Sequence, residues 1–131
     1  MESKIFLNLP VKSLEVTTTF YTRLGFEFNQ EYTDEKATCM VVNDMIDVMF
    51  LTESYFKSFT KKEIPDTKNM AQCIIALSAA SRAEVDRLVD LAFEAGAGVY
   101  NETQDLGFMY SRSFSDPDGH LIEIFVMGNM A

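Results

Sequence analysis

Apolar positions along this chain switch between two spacings, and the switches outline its elements. Ile5-Phe6-Leu7-Asn8-Leu9-Pro10-Val11 is nearly continuous in apolar residues and reads as a strand, with Pro10 confining it to a sheet edge or a strand end. Ser13 offers an N-cap. Leu14, Tyr21 and Leu24, with Thr17 and Thr18 between them, then share one face of a helix that Gly25 ends. Three strand-like pieces follow, Phe26 to Tyr32, Ala37 to Val42 and Ile46 to Leu51, with Asp34-Glu35 and Asn43-Asp44 as the turns.

The order then recurs. Ala71 to Leu77 reads as a strand, and Ser81-Arg82-Ala83-Glu84 has capping-box spacing, in which Ser and Glu exchange bonds with each other's amides. Val85, Leu88, Val89 and Ala92 form the apolar stripe of a second helix, closed by Gly96 and Gly98. Strands are expected at Val99 to Thr103, Phe108 to Phe114 and His120 to Val126. Each half is thus strand, helix, strand, strand, strand, an α+β module, and Ala76 stands in the second half where Asn8 stands in the first. A duplicated pattern is stronger evidence than either copy, because chance must supply it twice. The expected layout is one domain over residues 1–131, with a first βαβββ module at 1–52, a connector at 53–70 and a second module at 71–131. In the connector, Tyr55, Phe56 and Phe59 suit a short amphipathic helix that Ile64-Pro65-Asp66 breaks.

The last strand carries the feature that bears most on chemistry. In Asp116-Pro117-Asp118-Gly119-His120-Leu121-Ile122-Glu123-Ile124-Phe125 a tight turn leads into an apolar strand with one carboxylate inside it. A charge there is costly unless it has a partner, so Glu123 holds something or is held.

Bulk composition narrows the classes. With 131 residues, 47% hydrophobic and 24% charged, the chain suits one compact domain or two small halves sharing a core. No apolar run nears the roughly 20 residues of a membrane span, and the N-terminus lacks a secretion signal, so a cytoplasmic location without membrane contact is expected. Twenty acidic against 11 basic residues give a net charge of −9, which argues against nucleic acid as a partner. Cys39 and Cys73 have neither metal-site nor redox-pair spacing.

The chain resembles the vicinal oxygen chelate superfamily, which includes glyoxalases, bleomycin-resistance proteins and extradiol dioxygenases. The resemblance rests on Asn8-Leu9-Pro10-Val11, Phe20-Tyr21-Thr22-Arg23-Leu24-Gly25-Phe26, Glu94-Ala95-Gly96 and the terminal Asp116 to Phe125 segment, in that order within paired βαβββ modules. More narrowly, the chain looks like small lactoylglutathione lyase-like proteins. The resemblance implies two modules forming a U-shaped half-barrel cavity, commonly beside a homodimer interface. Metal-dependent members bind one divalent ion there, through a side chain on the first and last strand of each module. Those positions carry over onto Phe6, Met49, Ile74 and Glu123, of which only Glu123 offers an oxygen. A two-residue shift keeps strand parity and admits Asn8, Asp47 and Gln72. His120 falls at a structural position on the rim.

The expectation is therefore a metal-free site without cofactor for an unknown small molecule, lined by Phe6, Asn8, Asp47, Met49, Gln72, Ile74, Glu123 and Phe125. Tyr110 and Arg112 are added because their strand pairs with the last one; a bulge would flip their facing, so whether either reaches Glu123 stays open. Three uses of Glu123 stay open: contact with a sequestered ligand, general base of a lyase or isomerase acting on an enolisable carbonyl, or an anchor pairing with Arg112 or Asn8 in a structural or regulatory dimer.

Overall fold

A computed structural model describes residues 1–128; residues 129–131, at the end of the expected second module, lie outside the described residues. The chain divides into two compact units at Ile64/Pro65, inside the expected connector. Each unit contains a four-stranded mixed sheet, with two α-helices in the first unit and, among the described residues, one in the second.

The first unit runs β1 (Ile5–Val11), α1 (Leu14–Arg23), β2 (Glu27–Phe28), a 3-10 turn (Gln30–Tyr32), β3 (Ala37–Asn43), β4 (Ile46–Thr52) and α2 (Glu53–Lys57). Its strand order is β1-β4-β3-β2, with β1 parallel to β4 and the other pairs antiparallel. The Ser13 side chain caps α1 by accepting from the Val16 amide at 3.2 Å. Gly25 follows the helix with φ +101°, a conformation side chains disfavour. Alternation in β4 turns Val48 and Phe50 toward α1, where the Phe50 ring stacks on Tyr21 with centroids 5.1 Å apart. Thr17, Phe20, Tyr21 and Leu24 are buried with them.

The second unit runs β5 (Ile74–Ser78), α3 (Arg82–Glu94), β6 (Gln104–Asp105), β7 (Met109–Ser115) and β8 (Leu121–Met127), in sheet order β5-β8-β7-β6. The β5/β8 pair is parallel and the others are antiparallel, repeating the first sheet. Val85, Val89 and Ala92 of α3 are fully buried, and the helix packs on β7 and β8, whose Phe114, Ile122, Ile124 and Val126 are buried too. Ahead of β5, the Thr67 hydroxyl donates to the Asp118 carbonyl. Gly119 lies beneath this contact with φ +87°, and a Cβ there would press into the Thr67 carbonyl, so both conformation and space demand glycine. Among the described residues no helix is long and apolar enough to cross a membrane.

Four local expectations are corrected. The strand expected over 26–32 stops at Phe28, because the Asn29 side chain accepts from the Glu31 amide at 3.0 Å and starts the 3-10 turn. The strand expected over 99–103 does not form. Gly98 bridges Ser115, Asn101 bonds the Glu102 amide at 2.8 Å, and pairing resumes only at Gln104. The strand expected from Ala71 begins at Ile74. The capping box is half made: Ser81 accepts from the Glu84 amide, but both Glu84 oxygens take the Arg87 guanidinium, at 2.7 and 3.0 Å.

Candidate functional site

In the second unit, the burial of Ile122, Ile124 and Val126 against α3 turns Leu121, Glu123 and Phe125 to the opposite face of the sheet. Register places Ala76 on one side of Glu123 and Ser113 on the other, while Ile74 pairs with Leu121 and Ser111 with Phe125. Glu123 is half-buried. Its Oε1 accepts from the Ser111 hydroxyl at 2.5 Å, a charge-assisted bond to a neutral donor. The Tyr100 hydroxyl donates to the Ile122 carbonyl at 3.3 Å. Burial pushes the Tyr100 phenol up; the Ser113 hydroxyl opposes this and the Glu123 charge adds to it. The face therefore presents one carboxylate, with small hydroxyls beside it, among apolar side chains.

Tyr110 and Arg112 do not join it. The β7/β8 ladder runs without a bulge from Met109 to Ser115, so strict alternation places both on the α3 side. The Tyr110 hydroxyl donates to Asp86 at 2.6 Å, and Arg112 reaches Asp86 at 3.0 Å and Asp90 at 2.9 Å. Arg82 stacks over the Tyr110 ring at 4.6 Å and grips Asp105 with two bonds of 2.8 Å. The Tyr110 hydroxyl, followed by Arg112, holds Asp86 below the usual carboxylate range, and the Arg82 bonds bring Asp105 to about 2. This network ties α3 to β6 and β7. It also removes the expected Glu123–Arg112 pairing: the Glu123 partner is Ser111.

In the first unit the face turned away from α1 carries Phe6 and Asn8 of β1, which pair with Asp47 and Met49 of β4. Cys39 and Val41 of β3 lie on the other side of Met49 and Asp47. Asp47 is 1% exposed. Its Oδ2 is 3.1 Å from the Lys4 ammonium, which also sits 5.2 Å from the centre of the Phe6 ring. Burial pushes the Cys39 thiol up to about 11, and the Asp47 carboxylate adds to the shift. The Asn8 amide donates to the carbonyl of Phe6 in its own strand, at 3.2 Å.

These side chains fit a divalent ion poorly. Phe6, Met49 and Ile74 contribute no oxygen or nitrogen, Glu123 is engaged by Ser111, and Asp47 by Lys4. Gln72 is exposed ahead of β5 and lines a shallow depression with Thr67, Cys73, Gly119 and His120. His120 is buried, and its backbone amide donates to Asp116 at 2.9 Å, which fixes it in the turn. Among the described residues no three His, Cys, Asp or Glu side chains come together as a metal site would require.

Sequence reasoning missed Lys4, Ser111, Ser113 and Tyr100. Lys4 shares strand parity with Phe6, but its place beside Asp47 required the β1/β4 register, as the serines required that of β7 and β8.

The sequence profile of the Glyoxalase/Bleomycin resistance protein/Dioxygenase superfamily matches residues 5–124. No curated protein matches the chain significantly. Among solved structures, the hypothetical protein SA1046 from S. aureus superposes with a TM-score of 0.81 at 27% identity, covering 96% of this chain and 94% of that one. A glyoxalase/bleomycin resistance protein/dioxygenase family enzyme from Burkholderia phytofirmans PsJN gives 0.79 at 15% identity, covering 93% and 96%. A lactoylglutathione lyase from Agrobacterium tumefaciens gives 0.70 at 17% identity, covering 95% and 92%. The latter two share the fold; their low identity carries no activity across.

Proposed function

The chain belongs to the Glyoxalase/Bleomycin resistance protein/Dioxygenase superfamily, and on that premise we propose that it binds a small organic molecule without a catalytic metal, at the sheet face that carries Glu123. One observation carries the reading. Of the four positions that the family resemblance assigns to metal ligands, three are Phe6, Met49 and Ile74, and the fourth, Glu123, is held by a serine hydroxyl at 2.5 Å. A half-buried carboxylate flanked by Phe125, Leu121 and Ile74 suits a ligand with an apolar body and one hydrogen-bond donor. Ser111 occupies Oε1, which leaves Oε2 to receive that donor.

A second reading shares this geometry: Glu123 takes a proton next to a carbonyl, as a lyase or isomerase would require. The Ser111 bond favours it to the extent that it orients the carboxylate. Metal analysis of protein purified without chelator, followed by a thermal-shift panel of aromatic amines, hemithioacetals and enolisable carbonyls, tests both. The binding reading expects less than stoichiometric metal and a ligand-dependent rise in Tm that Glu123→Gln removes. Stoichiometric zinc, nickel or iron overturns it. Turnover that Glu123→Gln abolishes establishes the second reading in its place.

A further inference from the structure

On the first sheet, Asp47 departs from the usual treatment of a buried carboxylate. It is 1% exposed, yet only Oδ2 meets a cation, the Lys4 ammonium at 3.1 Å. Oδ1 is buried with no hydrogen-bond partner of ordinary geometry among the described residues. The only further donor to this carboxylate among the described residues is the Cys39 thiol, a weak one. An unsatisfied carboxylate oxygen in that setting is costly and uncommon. The Phe6 ring, 5.2 Å from the same ammonium, completes the surroundings of the cation. A carboxylate with an oxygen to spare beside an aromatic face is the chemistry that holds a primary ammonium, with N–H donors for the oxygens and a positive charge for the ring.

The occupant is weakly anchored. Lys4 precedes β1, whose first residue, Ile5, bonds the Met45 carbonyl at 2.8 Å. The Lys4 side chain is 38% exposed, so rotation of a flexible four-carbon stem vacates the place without opening the sheet. We infer that Asp47 and Phe6 form a binding site for a primary alkylammonium ligand, closed in the free protein by Lys4 acting as a tethered substitute. A tethered competitor acts at an effective concentration of order millimolar, so the wild-type protein takes up free amines weakly and loss of Lys4 raises the affinity. The site uses only the first sheet and stands whether or not the Glu123 face binds a ligand.

The test uses n-butylammonium as the probe, with tetramethylammonium, which has no N–H, as the control. Lys4→Ala should melt below wild type. Millimolar n-butylammonium should restore part of the loss and shift the methyl resonance of Met49, the next residue after Asp47 on the same face of β4, with an affinity about tenfold tighter than wild type. Tetramethylammonium should do neither, and Lys4→Ala combined with Asp47→Asn should respond to neither cation. No restoration by n-butylammonium, or equal restoration by both cations, overturns the inference. Should Lys4→Ala fail to fold, Lys4→Met keeps the aliphatic stem. Titration of the wild type then also decides: a Met49 shift that persists unchanged in Asp47→Asn is fatal to the proposal.

Discussion

Asp47 and Glu123 lie on corresponding faces of two sheets with the same strand order, yet they are handled differently. Asn8 pairs with Met49 as Ala76 pairs with Glu123, so the second unit places its carboxylate where the first has methionine. The first unit's carboxylate stands two pairs earlier on the same face, opposite Phe6, where the second unit has Leu121 opposite Ile74. Asp47 is almost wholly buried and neutralised by a lysine; Glu123 is half-buried and bonded to a neutral serine. Burial decides what each can do. A carboxylate deprived of water must keep its cation, so Asp47 contributes to stability and yields its partner only to another cation. A half-hydrated carboxylate tolerates a neutral partner and remains open to a ligand.

The largest test of this contrast is Lys4→Met, which leaves Asp47 uncompensated. Breaking a fully buried pair costs about 3–5 kcal/mol, and the 38% exposure of Lys4 lowers the expectation to about 2–3 kcal/mol by urea unfolding. A loss below about 0.5 kcal/mol would place Asp47 among ordinary surface ion pairs and dissolve the contrast.

The neighbouring thiol gives a pH signature confined to the first unit. The Cys39 thiol is raised from 9.0 to about 11 in the folded protein, so on alkalinisation the unfolded state loses its proton first. The unfolded state then binds fewer protons than the native one, and stability falls with rising pH. This contribution is complete below about pH 9 and is lost by about pH 11. Denaturation curves of Cys39→Ala across that range should lack this part of the decline; an unchanged decline refutes the assignment.

On the second sheet, Ser111→Ala removes the Glu123 donor. Water can replace it at a half-buried group, so the expected loss is about 1 kcal/mol, well under that of Lys4→Met. A loss equal to or above the Lys4→Met value would show that the fold depends on Glu123 no less than on Asp47.

Much of the fold was legible because its signals are local. Ser13 and Ser81 announced their helices, and Pro117 with Gly119 announced the turn before β8. Edge strands were not, because pairing and not propensity sets their length; Asn29 ends β2, and Asn101 lies where no strand forms, each with a side-chain bond that competes with the ladder. The faces of β1, β4, β5 and β8 followed from alternation, which brought Phe6, Asn8, Asp47 and Met49 onto one face and Ile74, Glu123 and Phe125 onto another. Partners were hidden because they depend on register between distant segments. Ser111 is near Glu123 only through the β7/β8 ladder, and Lys4 is near Asp47 only through the β1/β4 ladder.

The smallest expected effect isolates the side of the sheet that α3 covers. Arg112→Gln removes the bonds to Asp86 and Asp90, whose side chains are 46% and 63% exposed, so the cost should stay within about 0.5–1 kcal/mol. Asp86 keeps its Tyr110 bond at 2.6 Å, which limits the loss further. Because the unbulged β7/β8 ladder turns Arg112 away from Glu123, the ligand-induced Tm shift that depends on Glu123 should be the same in Arg112→Gln as in the wild type. A variant that kept its stability but lost that shift would mean that Arg112 serves the ligand face after all, and that alternation along β7 is not what separates the two networks.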